Sequence, residues 1–329
     1  ELISPFNQSV HYHPWCEVVD YMNQTQVEVC RLLSLPDLDQ DHPFVQQQLS
    51  QWLVDVIQRY KFDGIRLDTV PFIAKPFYRS IMSNVVKPRL NDLYIVGEVF
   101  DGRMDYVASY ANILGSTLDY PLYFTLKNVF ANRDSMFNIR SVIQASIEHY
   151  DDTGALGLFI DNHDNTRFLY SVSDRVLYQN ALTFVLFARG VPIVYYGAEQ
   201  GFRGGSGPHD SREILWNNMD RKSYWYQLVQ KMVTFRRSVI KEMWQTAHVE
   251  RYVQHDIYCF SRGPVFIATT NVGSAQPRVS YAVPVPDYPE SQVFCNVFWP
   301  DDCIRVTNGH LDIQLLNGES KIFYPKGKL

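Results

Sequence analysis

The stretch FDGIRLDTV, residues 62–70, combines the alternation of a β-strand with an arginine and an aspartate two positions apart. Because residues i and i+2 of a strand lie on the same face, Arg66 and Asp68 share one face, while Ile65 and Leu67 share the other. The pair has two interpretations: a structural ion pair at a strand end, or a carboxylate that a neighbouring guanidinium keeps ionised for chemistry. The stretch by itself leaves both open.

Strands and helices alternate on either side of this stretch. Apolar strands about 30 residues apart, with amphipathic helices between them, predict a parallel sheet in an α/β fold. The predicted strands are 62–68, 92–99, 116–120, 155–162 and 191–197; the predicted helices are 43–60, the segment up to about Leu90, and segments near 102–113, 121–150, 173–189 and 221–241.

The two ends of the chain differ from this α/β region. Residues 1–43 are polar and irregular, which predicts a loop-rich domain, and the residues after Met243 form short β-rich segments separated by turn residues. The second pattern predicts an antiparallel β module. We therefore divide the chain into domains at 1–43, 44–243 and 244–329.

The overall composition argues against several classes of function. The net charge is −5 and no block of Lys or Arg stands out, so we expect no nucleic-acid or anionic-membrane partner. No apolar run reaches the roughly 18 residues that span a bilayer. The chain starts with Glu-Leu-Ile, without an initiator Met or an apolar leader, so we expect a processed chain or a fragment.

The five cysteines are too few for a disulfide scaffold, and no CxxC pair indicates zinc. One possible pairing forms two local disulfides, Cys16–Cys30 and Cys295–Cys303, and leaves Cys259 unpaired. The spacing of the cysteines does not establish this pairing. Glycosylation sequons begin at Asn7 and Asn23. Together these features favour a secreted protein.

Three of the predicted parallel strands end in acidic residues: Asp68, then Glu98 with Asp101, then Asp164 after His163. The carboxyl ends of parallel strands meet on one face, so we expect these groups in one cleft. Each aspartate alone has a second interpretation as the N-cap of the next helix.

Cleavage of a glycosidic bond needs two carboxyl groups in different states, one ionised and one protonated. Arg66 favours the ionised form of Asp68, which suits a nucleophile. Glu98 follows an apolar strand and other carboxylates are expected nearby, which favours its protonated form and suits an acid. The carboxylates therefore predict a glycosidase site.

These motifs resemble those of the α-amylase family of glycoside hydrolases (glycoside hydrolase family 13), and most closely those of secreted fungal-type α-amylases. The motifs that carry the resemblance are GIRLDTV (64–70), GEVFDG (97–102), FIDNHDNTRF (159–168) and SLPDLD (34–39), with HPWCEVVDYMNQTQVEVC (13–30), IVYYGAEQ (193–200) and GGSGPHDSREILW (204–216). The resemblance extends from about residue 11 to the β module.

The resemblance implies a role for each motif residue. Asp68 is the nucleophile, Glu98 the acid/base, and Asp164 the residue that holds and distorts the sugar ring. Arg66 orients Asp68, and His163 binds the same sugar. Further sugar contacts are implied for Asp101, Asp210 and Arg212. The resemblance also implies a calcium cofactor, held by Glu28, Asp37 and the backbone carbonyl of Phe72.

The chain departs from the family in two places. Pro71-Phe72 replaces a Lys-His pair that contacts sugars on the leaving-group side, which puts acceptor preference in doubt. Only the last five of the eight strands of the family's barrel are recognisable here. We therefore expect the second part of a (β/α)8 TIM barrel, roughly strands 4–8, followed by an antiparallel β-sandwich, with the first strands missing or supplied elsewhere.

Three functions are compatible with this reading of the sequence. The first is retaining endo-hydrolysis of α-1,4-glucosidic bonds in starch- or glycogen-type glucans, by a protein that is a monomer when complete. The second is a 4-α-glucanotransferase with the same carboxylates, in which a sugar replaces water. The third is a non-catalytic glucan-binding relative, against which the intact Asp68, Glu98 and Asp164 argue.

Overall fold

The computed structural model describes residues 4–205, 207 and 209–327. The chain divides into two compact units. The first contains the residues up to Tyr120 and His149–Leu156, and the second contains Pro121–Glu148 and the residues from Gly157 onward. The predicted domain boundaries after residues 43 and 243 stay a prediction.

The first unit pairs two short parallel strands among helices. Its elements are α1 (Gln24–Val29), α2 (Pro43–Tyr60), β1 (Gly64–Leu67), α3 (Lys75–Ile81), a π-helical turn (Met82–Val86), α4 (Lys87–Arg89), β2 (Tyr94–Gly97) and α5 (Met104–Leu114). Helix α2 has the bounds that its apolar spacing predicts, with Pro43 in its first turn and Lys61 in a left-handed conformation at its end.

The register of β1 and β2 places the next residues of both strands at one edge. Leu67 pairs with Gly97 in this parallel ladder, so Asp68 and Glu98 follow at neighbouring positions. A Cβ atom on Gly97 would lie 2.8 Å from the Leu114 side chain and 3.0 Å from the Val70 side chain. A larger residue before Glu98 would therefore force these two side chains to shift.

The second unit begins with helices and a second short parallel pair. These elements are α6 (Tyr120–Ala131), α7 (Phe137–His149), β3 (Gly157–Leu158), α8 (Phe168–Ser171), α9 (Arg175–Phe187), β4 (Val191–Pro192), α10 (Tyr224–Ser238) and α11 (Ile240–Met243). Strand β3 runs parallel to β4, and its Gly157 pairs with Val191. Helix α9 is buried from Leu177 to Phe187, which matches its mostly apolar sequence.

The predicted strands run in the expected direction but are shorter than the apolar runs. The segment 116–120 contributes a single parallel bridge, between Gly97 and Thr117. In the described part of the chain, the ladder partners form separate parallel pairs rather than one five-stranded sheet. These ladder hydrogen bonds do not establish the partial barrel, which therefore stays a prediction.

The predicted antiparallel β module is confirmed. Its strands are β5 (Val249–Val253), β6 (Ile257–Arg262), β7 (Val265–Thr270), β8 (Arg278–Pro284), β9 (Val293–Asn296), β10 (Trp299–Arg305), β11 (His310–Leu316) and β12 (Lys321–Pro325). They form a six-stranded sheet, in the order β10-β9-β12-β7-β6-β5, and the hairpin β11-β8. Side chains from both, such as Phe266, Phe323, Val283 and Ile313, share one buried apolar core.

Both predicted disulfides are present, Cys16–Cys30 in the first unit and Cys295–Cys303 in the second. Cys259 is a free, buried cysteine, as that pairing predicts. Among the described residues, none of the helices combines the length and the apolar character that crossing a bilayer demands.

Candidate active site

Arg66 joins the two carboxyl groups that follow β1 and β2. Its Nη1 donates to Asp68 Oδ1 at 2.9 Å, and its Nη2 lies 3.0 Å from Glu98 Oε1. Glu98 also shares a hydrogen bond with Asp68. The Arg–Asp pair predicted from the sequence is therefore part of a three-residue cluster that includes the predicted acid.

The backbone between the strands fixes this cluster in place. Glu98 N donates to the Leu67 carbonyl at 2.8 Å, and Val70 N donates to the Glu98 carbonyl at 3.0 Å. Thr69 takes a left-handed conformation with φ 47°, and its N–H donates to Glu98 Oε2 at 3.2 Å. The carboxyl group of Glu98 is thus oriented by main-chain as well as side-chain donors.

The two carboxyl groups differ in their exposure to solvent. The side chain of Asp68 is 67% exposed and that of Glu98 is 8% exposed. Burial, together with the hydrogen bond to Asp68, raises the pKa of Glu98 to about 7, although Arg66 works in the opposite direction. Glu98 therefore keeps its proton up to a pH of about 7, a property that suits a general acid.

Tyr120 is a contact of Glu98 that sequence reasoning missed. Its hydroxyl donates to Glu98 Oε1 at 3.5 Å, and its ring, fully buried, lies 4.6 Å from the ring of Phe100. The sequence predicts a strand over STLDY (116–120), whereas Tyr120 begins helix α6. Nothing in the spacing of the carboxylates indicates this tyrosine.

Asp101, predicted to bind sugar, already has a charged partner. Both of its oxygens accept hydrogen bonds from Arg103, including 2.8 Å from Nη2 to Oδ2 and 2.7 Å from the backbone N to Oδ1. Burial disfavours the ionised form of Asp101, but the bonds from Arg103 outweigh it and lower its pKa. The sugar contact of Asp101 stays a prediction.

In the second unit, Asp164 lies between two of the predicted sugar-binding residues. His163 Nε2 is 3.0 Å from Asp164 Oδ2, and Arg212 Nη2 donates to Asp164 Oδ1 at 3.2 Å. The His163 carbonyl accepts from Ser211 Oγ and Arg212 Nε. Asp210 accepts from the backbone N of Gly207 at 2.8 Å, and its role in sugar binding stays a prediction.

The neighbouring Asp161 has a structural role that the sequence did not separate from that of Asp164. It is 3% exposed and accepts hydrogen bonds from the backbone N of Phe168, at 2.6 Å, and from the Tyr178 hydroxyl. Burial raises its pKa. Asp161 therefore secures the turn that carries His163 and Asp164.

The residues implied as calcium ligands are engaged with other side chains. Glu28 Oε1 accepts from Gln24 Nε2 at 2.8 Å, and Asp37 Oδ2 lies 2.8 Å from His13 Nδ1. No group of three or more His, Cys, Asp or Glu side chains in the described ranges is arranged to hold a metal ion. Since Glu28 and Asp37 are each bonded to a neighbouring side chain, no step of the chemistry below uses calcium.

Comparison with known proteins identifies the family. The family model described as "Alpha amylase, catalytic domain" matches residues 20–248, which include every carboxylate of the cluster. The chain belongs to the α-amylase family. It is 33% identical over 243 residues to alpha-amylase 2 of Schwanniomyces occidentalis, covering 72% of this chain and 46% of that protein.

Other α-amylase family members match along nearly the whole chain. An alpha-amylase of Saccharomycopsis fibuligera is 29% identical over 332 residues, covering 98% of this chain and 65% of its own length. The structure of an alpha-amylase from Malbranchea cinnamomea superposes with a TM-score of 0.90 and 29% identity, covering 98% of this chain and 69% of that one. The chain thus spans about half to two thirds of the length of these curated relatives.

Proposed function

We propose that this α-amylase family member carries out the retaining endo-hydrolysis of α-1,4-glucosidic bonds in starch- or glycogen-type glucans. The observation that carries the proposal is the Asp68–Glu98 pair, in which one carboxyl group is exposed and the other is buried and protonated near neutral pH. Two carboxyl groups with different protonation states are what the reaction requires.

In the first step, an exposed Asp68 carboxylate attacks the anomeric carbon and forms a covalent glycosyl ester. Glu98 transfers its proton to the departing glycosidic oxygen, so the leaving sugar departs as a neutral alcohol. In the second step, Glu98, now ionised, takes a proton from water. The water oxygen attacks the anomeric carbon, which releases Asp68 and restores both groups.

The contact between the two carboxyl groups supports retention rather than inversion. Retaining glycosidases hold their carboxyl groups about 5–5.5 Å apart, whereas inverting enzymes need about 6.5–9.5 Å to admit a water. One guanidinium contacts both groups, Asp68 at 2.9 Å and Glu98 at 3.0 Å, which supports the closer spacing of the first class. Arg66 also compensates the negative charge of Asp68 before attack and after release.

A cluster within the second unit has polar groups for which we propose sugar binding. His163, Asp164 and Arg212 form one hydrogen-bonded cluster whose polar atoms suit the hydroxyl groups of a glucose ring. Asp164 is the proposed residue that holds and distorts the ring, and Asp101 and Asp210 are proposed as further sugar contacts.

A 4-α-glucanotransferase is the second candidate, and the Pro71-Phe72 pair favours it. Both activities share the first step, and a sugar hydroxyl then replaces water in the second. Pro71 is buried, whereas Phe72 is half-buried and its ring lies 6.5 Å from that of Tyr21 in an edge-on contact. The apolar ring of Phe72 would disfavour ordered water and favour the face of an acceptor sugar.

The experiment that tests the function traps the covalent intermediate. The full-length protein is incubated with a 5-fluoro-α-glucosyl fluoride, which forms the ester quickly and releases it slowly, and the labelled peptide is identified by mass spectrometry. We expect the label on Asp68. A turnover of maltooligosaccharides with inverted product anomers and without a labelled Asp68 would overturn the retaining mechanism.

We further propose that the protein is secreted, monomeric when complete and glycosylated. Its two disulfides and the exposed sequons at Asn7 and Asn23 support secretion.

The proposal of a calcium cofactor rests on the family resemblance alone. To bind calcium, Glu28 and Asp37 would have to give up their present hydrogen-bond partners. Adding calcium to chelator-treated protein should raise its melting temperature if the site forms; an unchanged melting temperature would remove calcium from the proposal.

A further inference from the structure

Arg167, in the second unit, is a fully buried cation with an unusual environment. Its exposed fraction is 0%, and its Nε donates to Glu213 Oε2 at 2.5 Å. Within the described residues, its Nη1 and Nη2 have no hydrogen-bond partner. Its guanidinium instead faces three aromatic rings, at 4.4 Å from Tyr195 and 5.3 Å from Tyr196 and Phe202.

Such an arrangement is a poor way to gain stability. Removing a guanidinium from water with two nitrogens unbonded costs more free energy than a neutral side chain of similar volume would. Cation–π contacts with Tyr195 and its neighbours offset only part of that cost. An aliphatic side chain would fill the same space at a lower desolvation cost. We therefore attribute the presence of a charged residue here to the bond that it makes with Glu213.

Glu213 holds the ends of the segment 203–213 through hydrogen bonds of its side chain and its backbone. Its Oε1 accepts from the backbone N of Arg203 at 2.8 Å, and its carbonyl accepts from the Tyr196 hydroxyl at 2.9 Å. The backbone N of Arg167 donates to the carbonyl of Gly204 at 3.1 Å. Both described ends of this segment are therefore tied to Arg167.

The fastened segment carries the partner of Asp164. Residues 164 and 167 belong to one turn, and residues 212 and 213 are adjacent in the other segment. The Asp164–Arg212 pair and the Arg167–Glu213 pair thus join the same two segments as parallel links. The first link is partly exposed, at 35% for Asp164 and 42% for Arg212, whereas Arg167 in the second link is fully buried.

We propose that Arg167 is a positioning residue, which sets the place of Arg212 and through it the orientation of Asp164. This proposal rests on the proposed function of Asp164 in holding the sugar. Loss of Arg167 should leave the segment 203–213 attached only by weaker bonds, and misplacement of a sugar-binding group by about 1 Å lowers turnover by roughly 10²-fold.

A double-mutant cycle tests the proposal in the full-length protein. Arg167→Met, Arg212→Ala and the double variant are compared by kcat and KM on a maltooligosaccharide. If Arg167 acts through Arg212, the double variant should be as slow as Arg212→Ala alone, so the two losses do not multiply. Losses in kcat/KM that multiply would overturn the positioning role, because Arg167 would then act independently of Arg212.

Thermal unfolding and a matched control separate positioning from a general loss of stability. Arg251 also pairs with a carboxylate, Asp287, and stacks on an aromatic ring, Tyr288, but it lies in the antiparallel module. Arg251→Met should lower the melting temperature and leave KM and kcat unchanged. If Arg167→Met does not fold, Glu213→Gln removes the ion pair from its more exposed side and takes the place of Arg167→Met in the cycle.

Proteolysis gives a readout that does not depend on the proposed function. Trypsin can cut after Arg203 and Arg212, and releasing this segment should speed cleavage there several-fold in Arg167→Met but not in Arg251→Met. Unchanged cleavage would overturn the positioning role. A wild-type protein without any glucan turnover would overturn the proposed function instead, with the cleavage rates still deciding whether Arg167 holds the segment.

Discussion

Asp68 and Glu98 share a hydrogen bond and one guanidinium, yet the Asp68 side chain is 67% exposed and that of Glu98 is 8% exposed. This difference in solvation supports the two proposed chemical roles. Burial favours the protonated form of Glu98, the proposed acid, whereas the side chain of Asp68, the proposed nucleophile, is open to solvent.

Replacing Glu98 by Gln should abolish acid catalysis and spare glucan binding. The amide keeps the shape of the side chain but has no proton of suitable acidity, so we expect kcat to fall by at least about 10²–10⁴-fold. Steady-state kinetics on a maltooligosaccharide and calorimetric binding of the same sugar measure the two effects. Glu148→Gln, an exposed change on α7, is the control; similar rates for Glu98→Gln and the control would contradict the role of Glu98.

The pH dependence of turnover should reflect the protonation of Glu98. Its proton is lost as the pH rises through about 7, so kcat/KM should fall on the alkaline side of that value. The measurement is a pH profile of kcat/KM from pH 4 to 9. A profile that remains flat to pH 9 would mean that another group donates the proton.

The same shift predicts an effect on stability. The pKa of Glu98 is raised above its ordinary value of 4.5, so the native state binds this proton more tightly than the unfolded chain does. The resulting stabilisation is complete below about pH 4.5 and is lost as the pH rises through about 7. Wild-type protein should therefore lose stability relative to Glu98→Gln over this interval, as measured by urea unfolding; parallel curves for the two proteins would contradict this.

Restoring Lys-His at residues 71–72 should favour hydrolysis over transfer. The double change replaces an apolar surface with hydrogen-bonding groups that can order a water, so we expect the ratio of hydrolysis to transfer to rise by about tenfold or more. Product profiles from a single maltooligosaccharide measure the ratio. Phe62→His, which changes an exposed ring outside the cluster, should leave the profile as it is. An unchanged profile in the double variant would show that Pro71-Phe72 does not govern acceptor choice.

Removing the Cys16–Cys30 disulfide should destabilise the first unit. The bridge closes a loop between residues 14 apart, and loops of this size contribute about 3 kcal/mol by restricting the unfolded chain. Denaturant unfolding of Cys16→Ser/Cys30→Ser measures the loss. The comparison variant Cys295→Ser/Cys303→Ser opens a shorter loop, with a separation of 8, and should lose slightly less.

Local patterns predicted well those features that depend on neighbours in the sequence. Helix α2 has its predicted bounds because apolar spacing and an early proline act within a few residues. The faces of β1 and the ends of β1 and β2 placed Arg66, Asp68 and Glu98 together, because strand alternation and parallel register leave few alternatives.

Contacts between residues far apart in sequence were not predictable in the same way. Tyr120 reaches Glu98 across 22 positions, and Arg167 reaches Glu213 across 46, through turns whose geometry no periodicity encodes. The partners of Glu28 and Asp37 were missed for a related reason. Motif matching assigns ligands by position, whereas the hydrogen bonds from Gln24 and His13 depend on how the loops close.

Strand β12 occupies an inner position of the six-stranded sheet, between β9 and β7. During synthesis, the strands on either side of it leave the ribosome first and face each other across an empty row of hydrogen-bonding groups. The sheet can be completed only after residue 325 has emerged, so this module matures after translation of its last strand rather than stepwise with it. Until then, β7 and β9 each keep an unpaired edge, which is prone to pair with strands of other chains.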